Sequence, residues 1–289
     1  IRRAWPPLTR MYFSRMSLPL DLLVSVRPRQ WTKNFFVFAA LLFSRNLLVG
    51  RLAARSLLAF GLFCLASGAV YLVNDTLDRE RDRAHPLKAR RPIASGRVPA
   101  SLALIGAVVL AIVALGCSHL LGMPFVLTLL AYVVVQVAYS VALKHIVILD
   151  VFAVAVGFVL RVVAGALAID VGISSWLLVC TILLALFLAL FKRRHEFTTL
   201  AADAPAHRSV LAEYDTGLLD QMITVTAAAA VIGYCLYTMS DETVQKFGTA
   251  NLVFTSPFVI YGLFRYLYLV RRRSEGGSPE QTLMTDVPL

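Results

Sequence analysis

The chain has 289 residues, of which 58% are hydrophobic and 16% charged, and it carries a formal net charge of +11. Soluble domains are about half apolar and about a quarter charged, so this composition excludes an ordinary soluble protein and indicates the lipid bilayer as solvent. Apolar stretches of about 20 residues, each long enough to cross a bilayer, recur along the chain and predict one polytopic domain over 1–289.

Eight apolar segments, most of them bounded by charged residues, Pro or Gly, predict transmembrane helices in chain order. They lie at 35–49, 56–74, 101–121, 124–142, 147–169, 174–191, 219–240 and 251–270. The predicted fold class is therefore an all-α transmembrane bundle.

The basic residues are segregated between the two membrane faces. If the N-terminus is inside, 22 Lys and Arg residues fall on the inner face and four on the outer face. The positive-inside rule then predicts a multi-pass protein of the inner (plasma) membrane with a cytoplasmic N-terminus. This orientation explains the basic excess without nucleic acid as a partner, and membrane lipid is the expected partner instead. Segment 1–33 lacks a secretory-signal pattern, and residues 20–31 are expected to lie at the interface as an amphipathic helix.

Two inner connections, 75–100 and 192–218, are about 25 residues long and rich in charge, whereas the outer connections are short. Loops of this length in a compact protein are often functional. We therefore predict that both are cytoplasmic active-site loops.

Four polar side chains at the inner end of the second span share one predicted helix face, because no Gly or Pro interrupts the helix before Pro86. They are Asn74, Asp75, Asp78 and Asp82. Clustered carboxylates repel one another unless a cation neutralises them, and Mg²⁺ binds through one or two carboxylates plus substrate phosphates. We predict that these four side chains hold Mg²⁺. The alternative is a solvated helix end whose intervening arginines pair with the acids.

Polar and basic side chains near the same membrane depth are candidates for binding substrate phosphates. They are Gln30, Lys33, Asn34, Lys88, Arg91, Tyr139, Lys144, Lys192 and Arg193. The turn-rich segment 88–99 can fold back over the acidic face. Each basic residue could instead be an ordinary positive-inside anchor, and Lys144 could reach lipid headgroups.

The second inner loop opens with the sequence FKRRHE, in which Glu196 is predicted to hold a second metal ion or its bridging water. The alternative is a surface ion pair between Lys192 and Glu196, which lie four residues apart on one helix face.

Arg161 lies inside the fifth predicted span, where an arginine must meet an anion or a water-filled cavity. Asp150 is on the same helix face, but it lies about 16 Å away along the axis and is too far for direct pairing. Arg161 is therefore expected to face the bundle interior and to meet either another helix or a ligand phosphate. We favour the phosphate and count Arg161 among the substrate-binding residues.

The sequence NDTLDRERD from Asn74 to Asp82, followed by RRPIASGR from Arg90 to Arg97, resembles the Asp-rich motif and basic segment of the UbiA-type intramembrane prenyltransferases. Within that superfamily the chain is similar to the decaprenyl-phosphate phosphoribosyltransferase branch. The likeness covers most of residues 25–200 and includes RPRQWTKN, AYSVALKH, LDVFAVAVGFVLRVVAGA and FKRRHE.

The resemblance implies an enzyme that transfers phosphoribose from 5-phosphoribosyl 1-diphosphate to a polyprenyl phosphate in cell-wall biosynthesis. It implies Mg²⁺ as cofactor, Asp75, Asp78 and Asp82 as catalytic residues, and a ring of nine helices. The chain departs from the superfamily in two ways: KRRHE replaces a second Asp-rich motif, and only about eight spans are found. Whether a ninth span is truncated, and whether the chain forms a homo-oligomer, stay open.

Two other functions are weighed. Prenyl transfer to an aromatic acceptor would use the same metal site, although the missing second Asp-rich motif argues against it. A transporter would also have several spans and a buried arginine, but its site should lie near the bilayer midplane rather than at the inner surface.

Overall fold

The computed structural model describes residues 17–44, 46–85, 88–200, 210, 213–273 and 286, with side chains omitted at 199–200 and 271–273. Residues 1–16 of the predicted interfacial segment, and 201–209 and 211–212 of the second inner loop, lie outside this description. All regular structure within the described ranges is helical, which confirms the predicted all-α class.

Seven of the described helices are long and apolar enough to cross a membrane. The α-helices are α1 (Leu18–Ser25), α2 (Ala39–Phe43), α3 (Gly50–Leu77), α4 (Arg79–Ala84), α5 (Ala100–Ser118), α6 (Met123–Val141), α7 (Leu149–Ile169), α8 (Ser175–Leu200), α9 (Thr216–Met239), α10 (Asp241–Phe247) and α11 (Ser256–Arg273). The predicted spans from the second to the eighth fall on α3, α5, α6, α7, α8, α9 and α11 with its preceding turn.

The first predicted span, 35–49, differs from expectation because it does not form a long α-helix. An eleven-residue 3₁₀-helix, Pro28–Phe38, leads into the five-residue α2 instead. The rise per residue is greater in a 3₁₀-helix, so the two pieces together span about 30 Å, close to the thickness of a bilayer core. This segment can therefore still provide a crossing.

Helices α3 and α7 form the centre of the bundle. In the most apolar 18-residue stretch of each helix, 61% of α3 and 56% of α7 is buried, whereas the other five spans are buried by 33% or less. Helix α3 packs against α5, α6, α7 and the 3₁₀-helix, while α7 also packs against α8, and α8 against α9. The peripheral α5 exposes Ile105 and Ile112 by 61% and 65%, as expected for side chains that face lipid.

A buried polar cluster around Arg161 joins the 3₁₀-helix to α3, α6 and α7. The Arg161 guanidinium donates to the side-chain oxygens of Asn34 and Tyr132, at 2.8 Å each, and to the Gly157 carbonyl at 2.7 Å. The Asn34 amide donates in turn to Ser67 at 3.2 Å. The sequence predicts either another helix or a ligand phosphate as the partner of Arg161. In the structure its contacts come from other segments of the bundle.

The 3₁₀-helix also approaches α7 very closely at Gly165. A Cβ atom at this position would lie 1.9 Å from the carbonyl oxygen of Val37, a backbone atom that cannot rotate away. Gly61 on α3 is a matched contrast, because a Cβ there would meet nothing within 4 Å. Glycine is thus required at 165 because the two helices approach each other too closely for a side chain.

We expect Gly165→Ala to destabilise the protein by about 1–3 kcal/mol, because the added methyl forces the two backbones apart. The control Gly61→Ala should be neutral or slightly stabilising, since alanine is the better helix former. Thermal unfolding of the two variants in the same detergent measures the difference. Equal melting temperatures would contradict the close packing.

Candidate active site

The Asp-rich segment lies where α3 ends and α4 begins. Asp78 is the joint between them, with φ −89° and ψ 5°, so the predicted uninterrupted helix is wrong at this residue. Backbone hydrogen bonds continue through the joint, from Asp78 N to Asn74 O at 2.9 Å and from Asp82 N to Asp78 O at 2.8 Å. The Thr76 hydroxyl bonds back to the Leu72 carbonyl, a contact that often bends a helix.

Asp75 and Asp82 are both buried and share one arginine. The Nη1 atom of Arg91 donates to Asp82 at 2.5 Å and to Asp75 at 3.2 Å. Arg27, which precedes the 3₁₀-helix and lies over the ring of Tyr71, also donates to Asp75. Segment 88–99 therefore does lie over the acidic face, and its arginine occupies a point between two carboxylates.

Asp78 turns to a different partner from its neighbours. The Lys144 ammonium donates to its two carboxylate oxygens at 2.7 and 3.0 Å, and Lys144 is itself only 8% exposed. The pair borders an open cavity of about 320 Å³ that is also lined by Arg81, Ser140 and His145. Lys144 thus reaches the site and not only the lipid headgroups.

The second inner loop contributes Arg193, which is buried at the end of α8. Its Nη2 atom lies 2.7 Å from Asp150, and its Nη1 atom donates to Glu196. Tyr139 is hydrogen-bonded to the same guanidinium. The sequence offers an ion pair with Lys192 as the alternative to a metal role for Glu196; in the structure Glu196 pairs with Arg193, and Lys192 also lies near it.

Lys33 and Lys192 lie close enough to repel each other electrostatically, with Glu196 and Tyr139 also near Lys192. Lys192 is exposed and Lys33 is half-buried, and two neighbouring cations favour an anion between them. Gln30 is half-buried in the same 3₁₀-helix, and Lys88 is exposed at the start of the basic segment.

Asn34 and Arg161 are brought together, but away from the carboxylates. Asn34 contacts Ser67, which lies eight residues before Asp75 on α3, so the pair is about 12 Å deeper along that helix. The described partners of Arg161 are neutral, and its guanidinium also lies over the Tyr132 and Phe158 rings. Its predicted contact with a ligand phosphate stays a prediction.

The donor set suits Mg²⁺ in its chemistry but is arranged around basic side chains. Among the described residues, no group of three or more His, Cys, Asp or Glu side chains is placed to hold a metal ion. The Nη1 atom of Arg91 nevertheless lies within hydrogen-bond distance of both Asp75 and Asp82. Because Mg²⁺ needs only one or two carboxylates plus substrate phosphates, these two residues fit the ion once Arg91 moves.

Three residues of the site are not predicted from the sequence: Arg27, Asp150 and Tyr214. Arg27 stands in the RPRQWTKN segment, of which the sequence predicts only Gln30, Lys33 and Asn34 as binding residues. Asp150 begins an apolar span, and an acid at that depth predicts a partner without saying which one. Tyr214 carried no signal, because its contacts with Asp150 and Ile148 join segments more than 60 residues apart.

We expect Arg91→Gln to lower stability by about 1–3 kcal/mol in EDTA, because it removes a charge that two buried carboxylates share while Asp75 keeps Arg27. Excess MgCl₂ should raise the melting temperature of this variant more than that of the wild type, since no guanidinium competes for the carboxylates. Thermal unfolding in detergent measures both effects. Arg90→Gln, an exposed neighbour, is the control, and an equal Mg²⁺ response in all three proteins would contradict the exchange.

Comparison with known proteins places the chain in a family. The chain matches the UbiA prenyltransferase family over residues 34–284. The decaprenyl-phosphate phosphoribosyltransferases of Mycolicibacterium smegmatis and Mycobacterium tuberculosis are 34% and 33% identical to it, over 93% of this chain and 88% and 89% of theirs. A solved structure of a UbiA homologue from Archaeoglobus fulgidus, bound to GPP and Mg²⁺, shares the fold with a TM-score of 0.72 at 18% identity, over 91% of this chain and 93% of that one. The chain therefore belongs to the UbiA prenyltransferase family, and it is a membrane-embedded transferase.

Proposed function

We propose that this protein transfers 5-phosphoribose from 5-phosphoribosyl 1-diphosphate to a polyprenyl phosphate such as decaprenyl phosphate. The observation that carries the proposal is the identity of 33–34% to two decaprenyl-phosphate phosphoribosyltransferases over about nine-tenths of each chain. The site geometry supports it, because buried carboxylates and several buried or clustered cations suit a substrate with multiple phosphates.

Asn74, Asp75, Asp78 and Asp82 would hold Mg²⁺, which neutralises a diphosphate leaving group when bound. The first contribution of the protein's own side chains would be an exchange of ion-pair partners. Arg91 and Lys144, which contact these carboxylates in the structure, would turn their charges toward the donor's phosphates. They would then stabilise the negative charge that develops on the departing diphosphate.

Lys33, Lys192 and Arg193 would bind the remaining phosphate charge of the substrates. In the reaction the bond between the ribose anomeric carbon and the diphosphate oxygen breaks, and a bond to an oxygen of the polyprenyl phosphate forms. The acceptor oxygen is already anionic, so no proton has to be removed and no general base is needed. The protein's contribution is therefore to align the two substrates and to balance their charges.

The exposed apolar faces of the bundle would shelter the isoprenoid chain while its phosphate reaches the site. Glu196 would be a further metal ligand on the sequence interpretation, although its described contact is Arg193. We place the site on the cytoplasmic side, because the end of the bundle that bears it also bears most of the Lys and Arg residues.

A second candidate function is prenyl transfer from a polyprenyl diphosphate to an aromatic acceptor. It is favoured by the fold shared with a UbiA homologue whose solved structure contains GPP and Mg²⁺. The two functions use the same carboxylates and differ in the substrate that carries the diphosphate. Product identity distinguishes them.

We expect Asp78→Asn to reduce transfer by at least about a hundredfold, because it removes a charge that would balance the metal and the Lys144 ammonium. The assay incubates purified protein with labelled phosphoribosyl diphosphate, Mg²⁺ and decaprenyl phosphate, and then measures label in the extracted lipid. The wild type should incorporate label, and EDTA should abolish it.

Asp220→Asn is the matched control, because Asp220 also pairs with a basic residue of the inner end, Arg194 at 2.6 Å, but outside the site. Its activity should stay within about twofold of wild type, as is usual for a partly exposed ion pair. Near-normal activity of Asp78→Asn would refute the metal assignment. Absence of lipid label, with prenylation of an aromatic acid instead, would favour the second function.

A further inference from the structure

Two arginines of the inner end each bridge a pair of carboxylates, and they differ in accessibility. Arg91 joins Asp75 to Asp82, and its side chain is 28% exposed. Arg193 joins Asp150 to Glu196, and its side chain is only 5% exposed. The Arg91 side chain is therefore accessible to solvent, whereas the Arg193 side chain is buried.

Asp150 is held from its other side by Tyr214. The Tyr214 hydroxyl donates to the Asp150 carboxylate at 2.8 Å and accepts the backbone N–H of Ile148 at 2.8 Å. Ile148 has a positive φ of 70°, which is unusual for a β-branched residue and indicates a constrained turn. Burial, as the main cause, raises the pKa of Tyr214 to about 12, so this phenol keeps its proton at any physiological pH.

The two acids that contact Arg193 are not equivalent. Asp150 is completely buried, so separating it from Arg193 would leave an uncompensated charge in the protein interior. Glu196 is 27% exposed and can turn away into solvent. The Nε atom of Arg193 is also buried and makes no hydrogen bond among the described residues. An incoming anion would therefore displace Glu196 and leave Asp150 in place.

We propose that Asp150 and Tyr214 hold Arg193 as a permanent anion-binding group that needs no metal ion, which makes Asp150 a positioning residue. The identification of this anion as a phosphate group of the substrate rests on the proposed function. The site then has two halves, one whose arginine gives way to a metal ion and one whose arginine stays in place. Lys192 and Lys33 add charge to the second half.

The test measures binding of inorganic pyrophosphate to the purified full chain in detergent and EDTA, by titration calorimetry. Wild type should bind. Asp150→Asn should weaken binding by about tenfold or more, because the guanidinium loses the orientation that its buried partner imposes. Glu196→Gln should strengthen binding, because it removes the acid that competes with the anion.

These opposite signs separate positioning from simple electrostatics. If the two acids acted only through their charge, removal of either would tighten binding of an anion. Asp220→Asn, which breaks the neighbouring pair with Arg194, should leave affinity within about twofold. Unchanged or tighter binding in Asp150→Asn would overturn the proposal, as would absence of binding by the wild type in EDTA.

Tyr214→Phe provides a second variant if Asp150→Asn does not fold. It removes only the hydrogen bond to Asp150 and should weaken pyrophosphate binding in EDTA in the same direction by about threefold. Binding of Mn²⁺, followed by electron paramagnetic resonance, should be unchanged in Tyr214→Phe and Asp150→Asn. Wild-type pyrophosphate binding without phosphoribosyl transfer would refute the proposed function and leave this inference standing.

Discussion

The inner end of the bundle depends on neutralising the carboxylates that emerge from α3. Charges at this depth are costly unless they are paired, and their partners come from separate segments of the chain. Arg27 precedes the 3₁₀-helix, Arg91 lies in the connection to α5, and Lys144 follows α6. The same ion pairs that balance charge therefore draw three connections over one helix end, and so they shape the site.

An ion-paired site is poised for exchange when its partners are accessible. Lys144 borders an open cavity, and Arg91 is partly exposed, so the proposed substrate, which would bring both phosphate and metal ion, would replace each pair with two new ones. The carboxylates would gain the metal ion while the basic groups would gain phosphates. Because every broken pair would be replaced, the substrate would not have to overcome the full cost of breaking them.

The sequence predicts what is local and leaves out what is distant. Hydropathy located α3, α5 to α9 and α11, because span length is a property of one segment. The spacing of the acids placed them at the end of α3, but the helix is interrupted at Asp78, which turns to Lys144 while Asp75 and Asp82 share Arg91. The contact partners of the buried arginines could not be predicted in this way. Arg161 meets Asn34, 127 positions away, and Arg193 meets Asp150, 43 positions away on another helix. No periodicity encodes such choices, because they arise when helices pack.

The first crossing shows how packing can override a local pattern. Residues 35–49 are apolar enough for an α-helix, yet the chain forms a 3₁₀-helix through Phe38. The tighter coil brings the Val37 carbonyl against Gly165 and points Asn34 at Arg161. The described acceptors of Arg161 are neutral, so no carboxylate among them cancels its charge, and the guanidinium lies about 12 Å from the carboxylates along α3. On the proposed function, this fixed positive charge would favour entry of phosphates over entry of a free metal ion, so that the ion would arrive together with its substrate.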